Sequence, residues 1–229
     1  MQRRFDAVLF DFDGTVADTG AGIFASANHA AQALGFPPPT EAQLRRFVGP
    51  PLLESFQELI GMTPEQAQAA VTAYRSYYEA HAIFRLTLYP GMRETLAALH
   101  AAGVRVVIAS SKPERFARRI TAHLGLDPLI DDFSCPRDDR VHEDKEMLIR
   151  RALRQGGVEA ARAAMVGDRC YDMIGAGRAG VTAIGAAYGY GGAQELLASG
   201  ASQLIDIPAA LLPLVGVAPQ DPGNLTEDL

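Results

Sequence analysis

Short runs of consecutive apolar residues recur along the chain at positions 7–10, 104–109, 163–166, 181–184 and 204–207, with a weaker one at 132–134. They lack strict apolar–polar alternation and are too short for helices, so they read as strands buried on both faces. Between most of them the apolar residues fall at helical spacing, at 92–102, 113–124, 145–155 and 194–199. Strands alternating with helices predict an α/β fold built on a doubly wound, Rossmann-like parallel sheet.

One segment breaks the alternation. From about residue 17 to residue 84 no strand pattern is evident, and "GIFASANHAAQALG", "EAQLRRFV", "PLLESFQELIG" and "PEQAQAAVTAYRSYYEAHA" read as four helices. Pro37, Pro38, Pro39, Gly49, Pro50, Pro51 and Pro64 punctuate them. A crossover of that length exceeds an ordinary βαβ connection. It predicts a second, small helical domain (17–86) inserted after the first strand of an α/β core (1–16 and 87–215). The stretch 216–229 turns Pro-rich and then polar and reads as a mobile tail.

The composition narrows the function classes. The chain has 229 residues, 48% of them hydrophobic and 21% charged, with a net charge of −6. This is the profile of a globular protein without the basic face that a nucleic-acid polymer requires. No apolar run approaches the length of a membrane span. Two cysteines, Cys135 and Cys170, form neither a disulfide framework nor a CxxC metal pattern. They suit a reducing cytoplasm. A monomer or a homodimer fits equally well.

The chemistry gathers at the ends of the apolar runs. The first passes straight into Asp11-Phe12-Asp13-Gly14-Thr15. Residues i and i+2 of a strand share a face, roughly 7 Å apart, so Asp11 and Asp13 point together. Alone, this tripeptide is a weak signal, and Asp18 or Thr19 offers an ordinary helix cap. The 104–109 run, however, ends in Ser110-Ser111-Lys112-Pro113, and the 163–166 run ends in Gly167-Asp168 with Asp172 four residues on. In an open parallel sheet, ligands bind beyond the carboxyl ends of the strands. Four carboxylates at one edge repel one another unless a cation intervenes, and all-oxygen ligation suits Mg²⁺. Lys145 opens a predicted helix near the same edge.

These residues resemble the haloacid dehalogenase-like hydrolase superfamily. "DFDGT" is similar to its first motif, Ser110 to its second, Lys145 to its third and "GDRCYD" to its fourth, and the inserted helices resemble its helical cap. More narrowly, "FVGPPL", "YRSYY", "YPGM", "SSKP" and "YGYG" resemble the phosphoglycolate phosphatase and bacterial 5′-nucleotidase-like branch. The resemblance implies a phosphatase acting on a small phosphorylated metabolite through an aspartyl-phosphate intermediate. It implies Asp11 as nucleophile, Asp13 as general acid–base, Ser110 as a phosphoryl hydrogen-bond donor and Lys145 as the neutralising cation. It places Asp11, the backbone carbonyl of Asp13, Asp168 and, in an outer role, Asp172 around Mg²⁺. Gly14, Thr15, Gly49, Ser111 and Lys112 fall at substrate-binding positions, although Ser111 stands where related sequences commonly have Asn.

The resemblance implies a phosphoglycolate phosphatase first. A 5′-nucleotidase, a sugar-phosphate mutase on the same core and a catalytically inactive module of this fold are the alternatives. Dehalogenase chemistry is disfavoured by the second acid, Asp13. Phosphonate hydrolysis is disfavoured because no lysine lies between 17 and 84. A receiver-like signalling domain has no comparable insert. Arg45, Arg46 and Arg75 are candidate contacts to a second anionic group on the substrate, or solvated helix arginines. The five histidines, His29, His81, His100, His123 and His142, form no pattern. Two glycine clusters, "GAGRAG" (175–180) and "GAGIFA" (20–25), match dinucleotide fingerprints, but neither is predicted to open a helix directly after a strand.

Overall fold

A computed structural model of the chain describes residues 3–137 and 143–218. It begins with β1 (Ala7–Phe10) and a two-residue strand β2 (Ala17–Asp18), followed by α1 (Gly20–Ala33), α2 (Glu41–Arg46), α3 (Leu52–Ile60) and α4 (Pro64–Tyr77). A π-helical turn, Tyr78–Ala82, then leads to a second short strand, β3 (Thr87–Leu88). Helix α5 (Met92–Ala101), β4 (Arg105–Ala109), α6 (Glu114–His123), β5 (Asp132–Ser134) and α7 (Lys145–Gly156) come next. The chain continues through β6 (Ala163–Gly167), α8 (Cys170–Ala179), β7 (Thr182–Ala186), α9 (Gly192–Ala198), β8 (Gln203–Ile205) and α10 (Leu211–Val215).

Six strands form one parallel sheet in the order β5-β4-β1-β6-β7-β8. Each of the six apolar runs in the sequence contributes one of them. The strand order reverses between β1 and β6, and a doubly wound sheet opens its ligand crevice at such a point. Strand residues alternate between the two covers. Val8 and Phe10 of β1 join the apolar cluster that includes Leu96, Leu99, Phe116, Ile120 and Leu212. Ala7 and Leu9 join the opposite cluster, with Ile149, Leu153, Met173 and Ala176. Burial on both faces explains why the sequence shows continuous apolar runs in place of alternation.

The helical segment leaves β1 and returns to α5 through β2 and β3, which pair antiparallel outside the main sheet. The sequence pattern predicts no strand between 17 and 84, and Ala17–Asp18 corrects that. Two residues are too few to carry a period-two signal. Helices α2 and α4 start with capping boxes, Thr40 with Gln43 and Thr63 with Gln66. The buried side chains of the segment, including Phe47, Phe56, Val71, Tyr74 and Tyr78, are continuous with the cluster under β1.

Both glycine clusters serve packing. Gly20 opens α1 directly after β2, contrary to expectation, yet β2 lies outside the parallel sheet. A Cβ on Gly22 would fall 2.5 Å from the Ala82 carbonyl oxygen, so its glycine lets α1 close on the π-helical turn. A Cβ on Gly175 would fall 2.7 Å from the Lys145 Cβ, so its glycine lets α8 close on α7. Helix α10 was not expected from the sequence. Val217 is buried behind it and donates its N–H to Leu212, while residues 219–229 of the expected tail, like His142, lie outside the described residues. No helix among the described residues is long and apolar enough to cross a membrane.

Phe10 is fully buried at the last position of β1. Phe10→Ala is expected to cost about 3–5 kcal/mol of folding stability, read as a lower midpoint in urea-induced unfolding. A loss under about 1 kcal/mol would mean that the core under β1 collapses onto the gap.

Candidate active site

The site begins where β1 and β6 part. Asp11 is the first residue past β1, and its N–H bonds the Val166 carbonyl at 2.9 Å, so the ladder fixes its backbone. Asp168 is the first residue past β6, and Asp172 lies in the first turn of α8. One carboxylate oxygen from each of Asp11, Asp168 and Asp172 lies within 4.8 Å of the others, and all three residues are buried. Gly14, at φ +85°, turns the chain away from β1. A Cβ there would fall 2.3 Å from Asp168 Oδ2, so a side chain at 14 would collide with the acid.

Three acids in so small a buried volume carry more charge than their protein partners offset. Lys145 Nζ, at the N-terminus of α7, lies 2.9 Å from Asp11 Oδ1, 2.8 Å from Asp172 Oδ1 and 3.1 Å from the Ala109 carbonyl. Burial pulls the Lys145 pKa down, but Asp11 and Asp172 outweigh it and hold the ammonium form. The contact to Asp172 Oδ1 is an ion pair without hydrogen-bond alignment, and that buried oxygen has no hydrogen-bond partner. Asp168 has neutral donors: the Thr15 hydroxyl at 3.1 Å and the Tyr190 N–H at 2.8 Å. Burial and then the charges of Asp11 and Asp172 push its carboxyl well above the ordinary carboxylate value. Burial pushes Asp172 up as well, to about 6, against the pull of Lys145. Three converging buried carboxylates with one ammonium among them fit a small divalent cation.

Asp13 stands apart from this cluster. Its two oxygens are held by Lys112 Nζ at 2.9 and 3.1 Å. Ser110 is buried just past β4, and its Oγ accepts the Lys112 N–H at 3.2 Å. Asp11, Asp13, Ser110, Ser111, Lys112 and Lys145 all border one cavity of about 370 Å³. Gly49 also borders it, in the turn between α2 and α3. Thr15, expected at the substrate, is fully buried with its hydroxyl on Asp168, and Gly14 lies beneath the same acid.

The helical segment supplies much of the remaining wall, with Phe47, Leu52, Val71 and Tyr74 joined by Phe116 of α6. Arg75 also borders the cavity, whereas Arg45 lies over the Tyr190 ring, 5.2 Å from its centroid. Tyr190, from the "YGYG" stretch, donates its hydroxyl to Asp18 at the segment's entry. Tyr188 donates its own to the Thr15 carbonyl at 2.9 Å.

Two side chains of this site carry no signal of their role in the sequence. Arg169 binds Glu195 at 3.0 Å and donates to the Val48 carbonyl, tying the strand-end loop to the turn at Gly49. Tyr78 bonds Lys112 at 2.9 Å. "YRSYY" gave a helical pattern without saying which tyrosine faces the acids. Cys135 and Cys170 are both free.

Comparison with known proteins agrees with this geometry. The family model described as haloacid dehalogenase-like hydrolase matches residues 8–186. A 5′-nucleotidase of Pseudomonas aeruginosa is 37% identical over 195 residues, covering 85% of this chain and 88% of that protein. A phosphoglycolate phosphatase of Vibrio vulnificus is 27% identical, covering 95% of this chain and 99% of that one. Among solved structures, one from Clostridium acetobutylicum described as a predicted phosphatase superposes with a TM-score of 0.86. It is 34% identical and covers 90% of this chain and 96% of its own.

The raised Asp168 and Asp172 carboxyls mean that the folded state binds protons more tightly than the unfolded one. Without a cation, stability should therefore fall as pH rises from the ordinary carboxylate value near 3.8 towards and past about 6. Added Mg²⁺ should raise Tm by an amount that grows over the same window. Asp168→Asn should abolish the Mg²⁺-induced rise. Melting curves with Mg²⁺ and with chelator check this, and a rise that persists in the variant would place the cation elsewhere.

Proposed function

The chain belongs to the haloacid dehalogenase-like hydrolase family as one of its phosphatases, and we propose that it hydrolyses nucleoside 5′-monophosphates through an aspartyl-phosphate on Asp11, with Mg²⁺ as cofactor. The observation that carries this reading is the set Asp11, Lys145, Asp168 and Asp172 at the sheet's switch point, opening into a cavity with aromatic walls. Asp11, Asp168 and Asp172, with the backbone of Asp13, would hold the metal. When bound, it supplies charge neutralisation to the phosphoryl oxygens and to the attacking carboxylate.

The chain's own residues carry the steps. The Asp11 carboxylate, held by Lys145, attacks phosphorus as the bond from phosphorus to the alcohol oxygen breaks. The Asp13 carboxyl gives its proton to that oxygen, and the alcohol leaves. Water then attacks the aspartyl-phosphate, Asp13 takes one of its protons, and the bond between phosphorus and Asp11 breaks to release phosphate. Ser110, buried just past β4 on the cavity wall, is placed to donate to a phosphoryl oxygen. The segment 17–86 acts as a cap: its side chains shield the reacting bond from solvent and select the leaving group.

Size and wall chemistry favour a nucleotide over phosphoglycolate. The cavity of about 370 Å³ falls in the range of sites that enclose drug-sized ligands. A two-carbon acid would leave most of it empty, whereas a planar base can fill it against a lining that includes Tyr74, Phe116 and Val71. Two free cysteines and a small phosphorylated metabolite as substrate suit the cytoplasm.

Purified enzyme with Mg²⁺ is expected to release stoichiometric phosphate from nucleoside monophosphates with kcat/KM at least about tenfold above that for phosphoglycolate. Preference for phosphoglycolate would overturn the substrate assignment alone. Asp11→Asn should remove turnover on every substrate, and retained turnover would end the aspartyl-phosphate mechanism. Phosphate returned to the substrate without release would mark a mutase.

A further inference from the structure

Lys112 makes a set of contacts that a phosphate-binding lysine does not need. It is 7% exposed, and its Nζ spends its donors inside the protein, on Asp13 Oδ1 at 2.9 Å, Asp13 Oδ2 at 3.1 Å and Tyr78 Oη at 2.9 Å. The ammonium also lies 4.9 Å from the Tyr78 ring centroid. Burial alone would lower its pKa, but Asp13 and then Tyr78 outweigh that and keep it charged. A flexible four-carbon stem is thereby held at one place.

Tyr78 is held just as firmly, and by both parts of the fold. Its ring stacks on Tyr74 of α4, with centroids 5.8 Å apart and planes at 9°. It meets Phe116 of α6 edge-on at 5.4 Å. Tyr78 is the first residue of the π-helical turn, where the helical period of α4 breaks. π-turns often occur at functional sites because the wider turn re-aims a side chain.

We propose that Lys112 and Tyr78 are positioning residues for Asp13, with Lys112 clamping the carboxyl that protonates the departing alcohol and Tyr78 clamping Lys112 from the helical segment. The inference rests on the phosphatase reading above. A lysine across both oxygens aims the carboxyl. It also stabilises the carboxylate that remains once the proton has gone to the alcohol. Asp13 and Lys112 come from the sheet edge, while Tyr78 comes from the segment. The acid is therefore fully assembled only when the segment sits on the core as it does here.

Leaving-group dependence tests the proposal. p-Nitrophenolate leaves with little help from a proton, whereas a nucleoside alkoxide needs one, so a misplaced acid penalises the nucleotide selectively. The readout is kcat/KM, which reports the step that expels the alcohol. Tyr78→Phe keeps the ring packing and removes the hydroxyl, and Lys112→Met removes the charge. Both should lower kcat/KM for a nucleoside monophosphate, by roughly tenfold or more for Lys112→Met, with at most about a threefold change for p-nitrophenyl phosphate. Lys112→Arg, which keeps charge and donors, should recover part of the loss. A KM increase of equal size on both substrates with kcat unchanged would make Lys112 a phosphate ligand and overturn the proposal. So would a Tyr78→Phe enzyme indistinguishable from wild type on both. Wild-type enzyme inactive on both substrates, or Asp11→Asn still active, would instead count against the underlying phosphatase reading.

Discussion

Burying several carboxylates at one point is the constraint around which the structure is organised. Asp11, Asp168 and Asp172 converge within a few ångströms in the dry interior, where like charges are costly unless a cation answers them. Lys145 answers in part, from a helix that could reach the sheet edge only by packing against α8 without a side chain at position 175. The remaining deficit shows as the raised carboxyls of Asp168 and Asp172. Such a cluster suits a small divalent cation.

The sheet makes this concentration of charge possible. Its strand order reverses between β1 and β6, so the two strand ends diverge and leave a crevice while the ladder below them stays paired. The acids sit on backbone fixed by that ladder, with the Asp11 N–H on the Val166 carbonyl. Rigid support of this kind lets electrostatic groups act without rearranging during the reaction. The helical segment contributes differently. It brings aromatic and aliphatic walls over the acids, and its ties to the core include Arg169 to the Val48 carbonyl, Tyr190 to Asp18, Tyr78 to Lys112 and Arg119 to Glu79. The same segment thus lines the cavity and reaches the lysine that holds Asp13.

Much of this was legible in the residues. The six strands of the main sheet were visible because burial on both faces leaves unbroken apolar runs. The acids at 11, 13, 168 and 172 were visible because each follows such a run, where side chains leave the sheet and chemistry becomes possible. The β2–β3 ribbon was not visible, since strands of two residues carry no period. Thr15 shows a subtler limit: its place beside the acids was legible, but whether its hydroxyl faces substrate or Asp168 depends on the turn at Gly14.

The sequence by itself therefore determined the sheet, the helical interruption and the identity of the charged groups, because these follow from local pattern and from residue type. Only the tertiary structure decided which groups meet. That Lys112 holds Asp13, that Tyr78 turns inward at the π-helical turn and that Arg169 grips the turn beside Gly49 are matters of contacts between residues dozens of positions apart. Such contacts are settled by how helices pack on a twisted sheet, and no periodicity along a single strand or helix encodes them.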